Sequence, residues 1–128
     1  MVQQLDLADE LQERLIKFAV RVIKLADALP KTATGRHIAG QLLRAGTSPA
    51  PNYAEARNAE SRADFIHKLK VALKELNETK VWLTMITLSH LIRSSRLAKV
   101  IDENQQLCKM INASITTAKS RLGRRNKK

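Results

Sequence analysis

The sequence predicts an all-α protein, an antiparallel up-down four-helix bundle with a kinked second helix. Only four of its 128 residues are glycine and three are proline, so the chain has few of the residues that interrupt helices. Aromatic residues make up 3% of it, which leaves leucine, isoleucine, valine and alanine to build the core. At this length we expect residues 1–128 to form one bundle domain, with a basic tail at about 119–128.

The first helix is predicted over about residues 5–29. Six apolar residues recur there every three or four positions, the spacing that lines one face of a helix: Leu11, Leu15, Phe18, Val22, Leu25 and Leu29. Pro30 ends this helix, because the residue before a proline is disfavoured in helical geometry.

The second helix is predicted to start near Thr34 as its N-cap and to continue to about Ala59. Pro49 and Pro51 lie inside it. Each proline removes a backbone donor and clashes with the preceding turn, so we expect a kink or break at this point.

The third and fourth helices carry near-heptad apolar stripes. The third begins after Ser61, which resembles a capping box with Asp64, and runs to about Ile92. Its stripe comprises Phe65, Leu69, Ala72, Leu76, Thr79, Leu83 and Ile86. The fourth spans about Arg96–Leu122, and Gly123 is the expected C-terminal stop. Its stripe comprises Leu97, Val100, Ile101, Leu107, Ile111, Ile115 and Ala118.

The third helix contains the longest uncharged stretch, from Val81 to Ile92. It is shorter than the roughly 20 residues that cross a bilayer, so no membrane span is expected. It is apolar or neutral most of the way around the helix, which predicts a second apolar contact. The helix could be central and covered on both sides within one bundle; we predict instead that its second contact is a subunit interface, and therefore that the protein is a homo-oligomer. The acidic start of the chain does not resemble a signal peptide, and Cys108 is the only cysteine. These two features predict a cytoplasmic protein.

The 23 lysine and arginine residues outnumber 12 acids, and the resulting charge of +11 predicts attraction to polyanions. The expected nucleic-acid contacts fall in a row on the first helix and in the tail: Arg14, Lys17, Arg21, Lys24, Lys119, Arg121, Arg124 and Arg125. Such contacts would be electrostatic and tolerant of sequence. The alternative is a solvated basic face on a scaffold that binds only proteins.

Residues 41–83 contain the segments QLLRAGTS, NYAEA and ESRADFIHKLKVALKE, followed by the pairs ET and WL. This stretch resembles the four-helix bundle proteins encoded within 23S rRNA intervening sequences. Their superfamily includes the accessory variability protein of diversity-generating retroelements. The resemblance implies a basic homopentamer and, for the retroelement relatives, binding to RNA or an RNA–DNA hybrid and to a reverse transcriptase. The chain departs from the family pattern at Pro49-Ala50-Pro51.

The segments that resemble the family also place polar residues on both sides of the predicted kink: Arg44, Asn52, Glu55, Glu75, Glu78 and Trp82. We expect these residues to be structural. They would join the kinked helix to the third helix through an arginine–carboxylate pair and through hydrogen bonds to backbone groups freed by the prolines. A ligand pocket is the alternative.

Motifs for catalysis are sparse. The sequence has no phosphate-binding glycine loop and no cysteine pair for zinc. Asp64 and His67 have a carboxylate–histidine spacing that bundle metal sites use, but a di-iron site needs a second copy. We therefore expect no enzyme activity, metal or cofactor. The alternative from another class is a helical RNase of the HEPN type, which would use Arg62 and His67 as an R-x4-H pair.

Overall fold

The computed structural model describes residues 2–126, and the side chains of residues 7–123. These residues form helices joined by short turns, with no strand among them. The helices are α1 (Val2–Ala28), α2 (Ala33–Thr47), α3 (Pro49–Arg57), α4 (Arg62–Leu88) and α5 (Ser94–Asn126).

The helices pack as a four-helix bundle in which α2 and α3 together form the second helix. α1 contacts α2, α3 and α5, and α4 contacts the same three helices. The backbones of α1 and α4 do not come close to each other, so these two helices lie diagonally across the bundle. The predicted fold class is confirmed.

The predicted kink lies at Ser48, directly before Pro49. Ser48 keeps right-handed helical dihedral angles, with φ −74° and ψ −36°, so the break between α2 and α3 is confined to this one residue. The prolines fall in the first turn of α3. The N–H groups of a first turn have no acceptor within their own helix, so the prolines cost α3 no internal hydrogen bond.

The N-cap residues of α2 and α4 test the predicted starts of these two helices. Thr32, rather than Thr34, is the N-cap of α2, and its Oγ1 accepts a hydrogen bond from the Gly35 N–H at 3.0 Å. The prediction of Thr34 was wrong because the turn after Pro30 is shorter than expected. Ser61 caps α4 as predicted, and its Oγ accepts from the Asp64 N–H at 3.0 Å.

Two predicted helix ends were wrong. α4 ends at Leu88, four residues before Ile92, because His90 adopts a left-handed φ of 56°. The N–H groups of His90 and Leu91 then donate back to carbonyl oxygens of the last turn, both at 3.2 Å, a pattern typical of helix ends. Gly123 does not stop α5, which continues to Asn126.

The core is built from the predicted stripes. All six stripe residues of the predicted first helix are buried, including Leu29 directly after α1, as are most of those on α4 and α5. Phe65 and Ile101 are exceptions, since both are half-buried, and Ile66 is buried where Phe65 was expected.

Asn104 is a buried polar residue that the helical pattern did not predict. It is 1% exposed, and its Nδ2 donates to the backbone carbonyl of Leu76 at 3.0 Å, which joins α5 to α4 inside the core. One satisfied buried amide among aliphatic residues favours a single register between two helices. Among the helices described, none is long and apolar enough to span a membrane.

Candidate nucleic-acid interface

The predicted basic row on α1 lies beside α5, but Arg14, its first member, is already hydrogen-bonded to residues of α5. Arg14 donates to both carboxylate oxygens of Glu103, at 2.7 and 3.0 Å, and to Gln106 at 3.0 Å. This hydrogen bonding to Glu103 raises the pKa of the Arg14 guanidinium. Arg14 therefore joins α1 to α5, and its charge is neutralised within the bundle.

Lys17, the second member of the row, forms an exposed ion pair with Glu13 at 2.9 Å, one helical turn away on α1. Exposed pairs of this type are worth only a few tenths of a kcal/mol, so a polyanion could displace Glu13 at little cost.

Arg21 and Lys24 face a second pair of cations on α5. Together with Arg96 and Lys99 they line a cleft of 280 Å³ whose apolar floor is Leu25 and Val100. No acid is among the residues that line this cleft, and none of its four cations forms an ion pair with a described residue. We call these four residues the α1–α5 basic groove. All four are exposed, so the cleft presents concentrated positive charge to solvent.

Arg96 and Lys99 were not among the predicted contacts. They lie three residues apart at the start of α5, and antiparallel packing places that start beside the end of α1. Aligning the predicted first and last helices antiparallel would have paired Arg21 and Lys24 with them.

The basic tail divides between two faces of α5. Lys119 is exposed on α5. Arg121 is two residues further, roughly 200° around the helix, and lines a cleft with Arg62. The side chains of Arg124 and Arg125 lie outside the described residues.

The polar residues predicted to be structural form a cluster between α2 and α4. Arg44 donates to Glu75 at 3.2 Å and to Glu78 on the next turn of α4. The indole Nε1 of Trp82 also donates to Glu78, at 3.0 Å, and its ring lies roughly perpendicular to the ring of His37 of α2. The predicted arginine–carboxylate pair is therefore present.

Asn52 and Glu55 make other contacts than expected. Asn52 donates to the carbonyl oxygen and hydroxyl of Ser48, at 3.0 and 2.9 Å. That carbonyl already accepts from the Asn52 N–H, so it is not a group freed by the prolines. Glu55 instead pairs with Lys68 of α4 at 2.9 Å. The predicted bonds to freed backbone groups were wrong for these two side chains.

Replacing Arg44 by alanine is expected to lower the melting temperature at pH 7 by up to about 5 °C. The Trp82 hydrogen bond, and then Arg44, hold the pKa of Glu78 below its ordinary value of 4.5. A carboxyl whose pKa is lower in the folded state stabilises the fold above 4.5 and loses that effect as the pH falls through its folded pKa. The melting temperatures of the variant and the wild type should therefore converge below pH 4.5.

Arg36→Ala is the control for this comparison, because Arg36 is an exposed residue of α2 without an ion pair to any described side chain. Thermal melts between about pH 3 and 7 would be recorded for all three proteins. A difference in melting temperature between Arg44→Ala and wild type that stays constant across this pH range would contradict the ionic role of the cluster.

Arg62 and His67 do not converge. Five residues apart on α4, they lie roughly 140° apart around the helix. Arg62 faces a cleft that Phe65 and Arg121 also line, whereas His67 is exposed on another side. The structure does not bring the two side chains together around one phosphate. The described residues also hold no group of three or more histidine, cysteine, aspartate or glutamate side chains that could bind a metal ion.

Comparison with known proteins gives one family and a solved relative. Residues 9–113 match the sequence model of a family described as 23S rRNA-intervening sequence protein. The fold is similar to the crystal structure of a protein of unknown function from the S23 ribosomal protein family of Bacteroides thetaiotaomicron. That match has 34% identity and a TM-score of 0.78, and it covers 82% of this chain and 97% of the other. No curated protein matches the chain.

Proposed function

Because the chain belongs to the 23S rRNA-intervening sequence protein family, we propose that it is a non-catalytic, self-assembling protein of the cytoplasm that binds nucleic acid electrostatically. The observation that carries this proposal is the α1–α5 basic groove, where four exposed cations from two helices line one cleft without an acid. Burying such a cluster against phosphates would release counterions from the nucleic acid, which is the main source of sequence-tolerant affinity.

The aromatic residues support backbone rather than base recognition. Phe18 and Tyr53 are buried in the core, and Phe65 and Trp82 are half-buried. Sequence-specific binding of single strands normally stacks bases on exposed aromatic rings. Because none of the four aromatic rings is exposed, we propose that the ligand is a duplex or hairpin and that the protein contacts its phosphates. RNA or an RNA–DNA hybrid, and a reverse transcriptase as protein partner, follow from the family resemblance.

Removing two cations of the groove is expected to weaken hairpin binding about tenfold or more at low salt. The variant Arg96→Gln/Lys99→Gln keeps both side chains polar and leaves Arg14 and its ion pair intact. Fluorescence anisotropy of a labelled RNA hairpin would be measured from about 50 to 300 mM salt. On a duplex, each lost phosphate contact should reduce the log–log slope by about 0.9.

Lys70→Gln/Lys74→Gln is the matched control, since it removes the same charge from exposed positions of α4 that are not predicted contacts. It should leave the salt slope nearly unchanged, and the hairpin should be recovered uncut. If both variants weaken binding equally, the groove is not the interface. If the wild type does not bind at the lowest salt, the protein-directed scaffold becomes the better hypothesis.

Self-assembly is supported by two exposed apolar surfaces on diagonal helices. The α1 patch consists of Ile16, Val20 and Ile23, which are 42–49% exposed. The α4 patch consists of Val81, Met85 and Leu88, which are 46–75% exposed. Two different patches on opposite sides of a bundle suit a head-to-tail contact between copies, which closes into a ring when the rotation permits. The family resemblance sets the expected number at five.

Charged substitutions in either patch are expected to convert the oligomer to a monomer of 14.4 kDa by light scattering. Val20→Glu would disrupt the α1 patch and Met85→Glu the α4 patch, whereas Gln105→Glu on an exposed face of α5 is the control. In a head-to-tail assembly, a mixture of the two patch variants retains one intact pairing and should yield a dimer. A wild-type monomer at micromolar concentration would contradict self-assembly, and a dimer in Val20→Glu alone would indicate α4-to-α4 pairing instead.

A further inference from the structure

Arginine side chains also gather at the end of the bundle away from the α1–α5 basic groove. Two adjoining clefts of 340 and 460 Å³ lie where the chain enters α4 and where α5 nears its end. Arg62, Phe65 and Arg121 line both of them, so the two clefts form one continuous surface, which we call the arginine cleft.

The two shared arginines have no acidic partner in the described part of the chain. Neither Arg62 nor Arg121 takes part in any of its ion pairs. The Nε of Arg62 is buried and makes no hydrogen bond. A buried guanidinium N–H without an acceptor costs free energy of the order of 1–3 kcal/mol, and an acceptor within the cleft would remove that cost.

The remaining charges in the cleft do not neutralise this pair. Arg57 also lines the larger cleft, but it donates to Asp9 at 2.8 Å and to Gln12 at 2.7 Å, so its charge is already balanced. Glu60 is the only acid that lines the two clefts, and it forms no ion pair with a described residue. Two guanidinium groups thus face one exposed carboxylate, which leaves a positive cleft.

We propose that the arginine cleft binds the phosphate of a small phosphate monoester. A phosphate has three terminal oxygens and can accept hydrogen bonds from guanidinium groups on two helices at once, whereas a carboxylate has only two. Phe65 and, in the smaller cleft, Ala118 and Leu7 form an apolar wall beside the arginines. That wall suits the organic part of the ester. This site is separate from the α1–α5 basic groove, which is formed by the other ends of α1 and α5.

Isothermal titration of the full chain with phenyl phosphate, inorganic phosphate and benzoate tests this proposal. Phenyl phosphate is expected to bind most tightly, because it offers both the phosphate and an apolar ring. Arg121→Gln should weaken its binding about tenfold or more, as loss of a charged hydrogen-bond donor does. Arg121 is exposed, so this variant should keep the fold. Arg62→Gln should have a similar effect, and Arg96→Gln in the basic groove should change the affinity less than about twofold.

Three results would overturn the proposal. Equal weakening in Arg121→Gln and Arg96→Gln would indicate general attraction to a basic surface. Benzoate binding as tightly as phenyl phosphate would indicate that the ring, not the phosphate, is recognised. No heat of binding in the wild type at about 10 mM ligand would mean that the cleft holds no phosphate. Hairpin binding by Arg62→Gln, which replaces no predicted nucleic-acid contact, is measured in parallel and should match the wild type, so that failure of this site is distinguished from failure of the nucleic-acid proposal.

Discussion

Replacing Gly35 by alanine is expected to lower the free energy of unfolding by about 3 kcal/mol. A β-carbon at Gly35 would lie 1.9 Å from the carbonyl oxygen of Pro30 and 2.8 Å from its carbonyl carbon. Both atoms belong to the backbone, so no side-chain rotation relieves the overlap and the turn between α1 and α2 must open. The cap of α2 would weaken as well, since the Gly35 N–H donates to Thr32 Oγ1.

Gly40→Ala is the matched control, because Gly40 lies in the same helix and, apart from its chain neighbours and the backbone of α2 itself, no atom lies within 4 Å of a β-carbon there. Alanine at this exposed helical position should stabilise the protein by about 0.5–1 kcal/mol. Urea unfolding of both variants would give the two free energies, and the Gly35 variant should melt about 10–15 °C below wild type. Equal stability of the two variants would mean that α2 does not approach Pro30 this closely.

The close approach at Gly35 could not be predicted from the sequence, whereas the helices could. The helical period is a local property, so the spacing of the apolar stripes was enough to predict which faces are buried. The cap is different, because Thr32 and Thr34 are both acceptable N-cap residues. Which of them caps α2 depends on the path of the turn after Pro30. The same reasoning explains Gly123, since a glycine permits a helix to end but does not require it.

The candidate nucleic-acid interface was predicted in part. Arg21 and Lys24 could be identified because they share one face of one helix. The role of Arg14 could not, since its partner Glu103 lies 89 residues away in the sequence. Helical spacing identifies residues that share a face, but it does not show which acid of another helix lies opposite. Arg96 and Lys99 were missed for the same reason. They lie on a different helix, and only the pairing of α1 with α5 brings them next to Arg21 and Lys24.

The cluster between α2 and α4 was easier to predict than the groove. Glu75, Glu78 and Trp82 lie within two turns of one helix, so their shared face follows from the spacing alone. A single arginine on the neighbouring helix was then sufficient to join α2 to α4. By contrast, Asn52 has an acceptor one turn away in its own segment, and this local bond competes with any bond to a more distant backbone group.

Gly46→Ala is expected to destabilise the protein by about 2–3 kcal/mol through a contact with α1. A β-carbon at Gly46 would lie 2.6 and 2.7 Å from the two γ-carbons of Val22, which is fully buried. Valine in a helix has one strongly preferred rotamer, so its methyl groups cannot turn away. The helices would have to separate, and the loss of packing should exceed the gain in helix propensity from alanine.

A double-mutant cycle with Val22→Ala tests this contact directly. Val22→Ala alone removes buried methyl groups and should cost about 2 kcal/mol. In the double variant the methyl group added by Gly46→Ala occupies part of the space that Val22 vacates, so the combined loss should fall short of the sum of the two single losses by about 1–2 kcal/mol. Strict additivity would mean that the two residues do not touch. Because the basic groove lies between α1 and α5, the folded double variant should still bind the RNA hairpin with the wild-type salt slope.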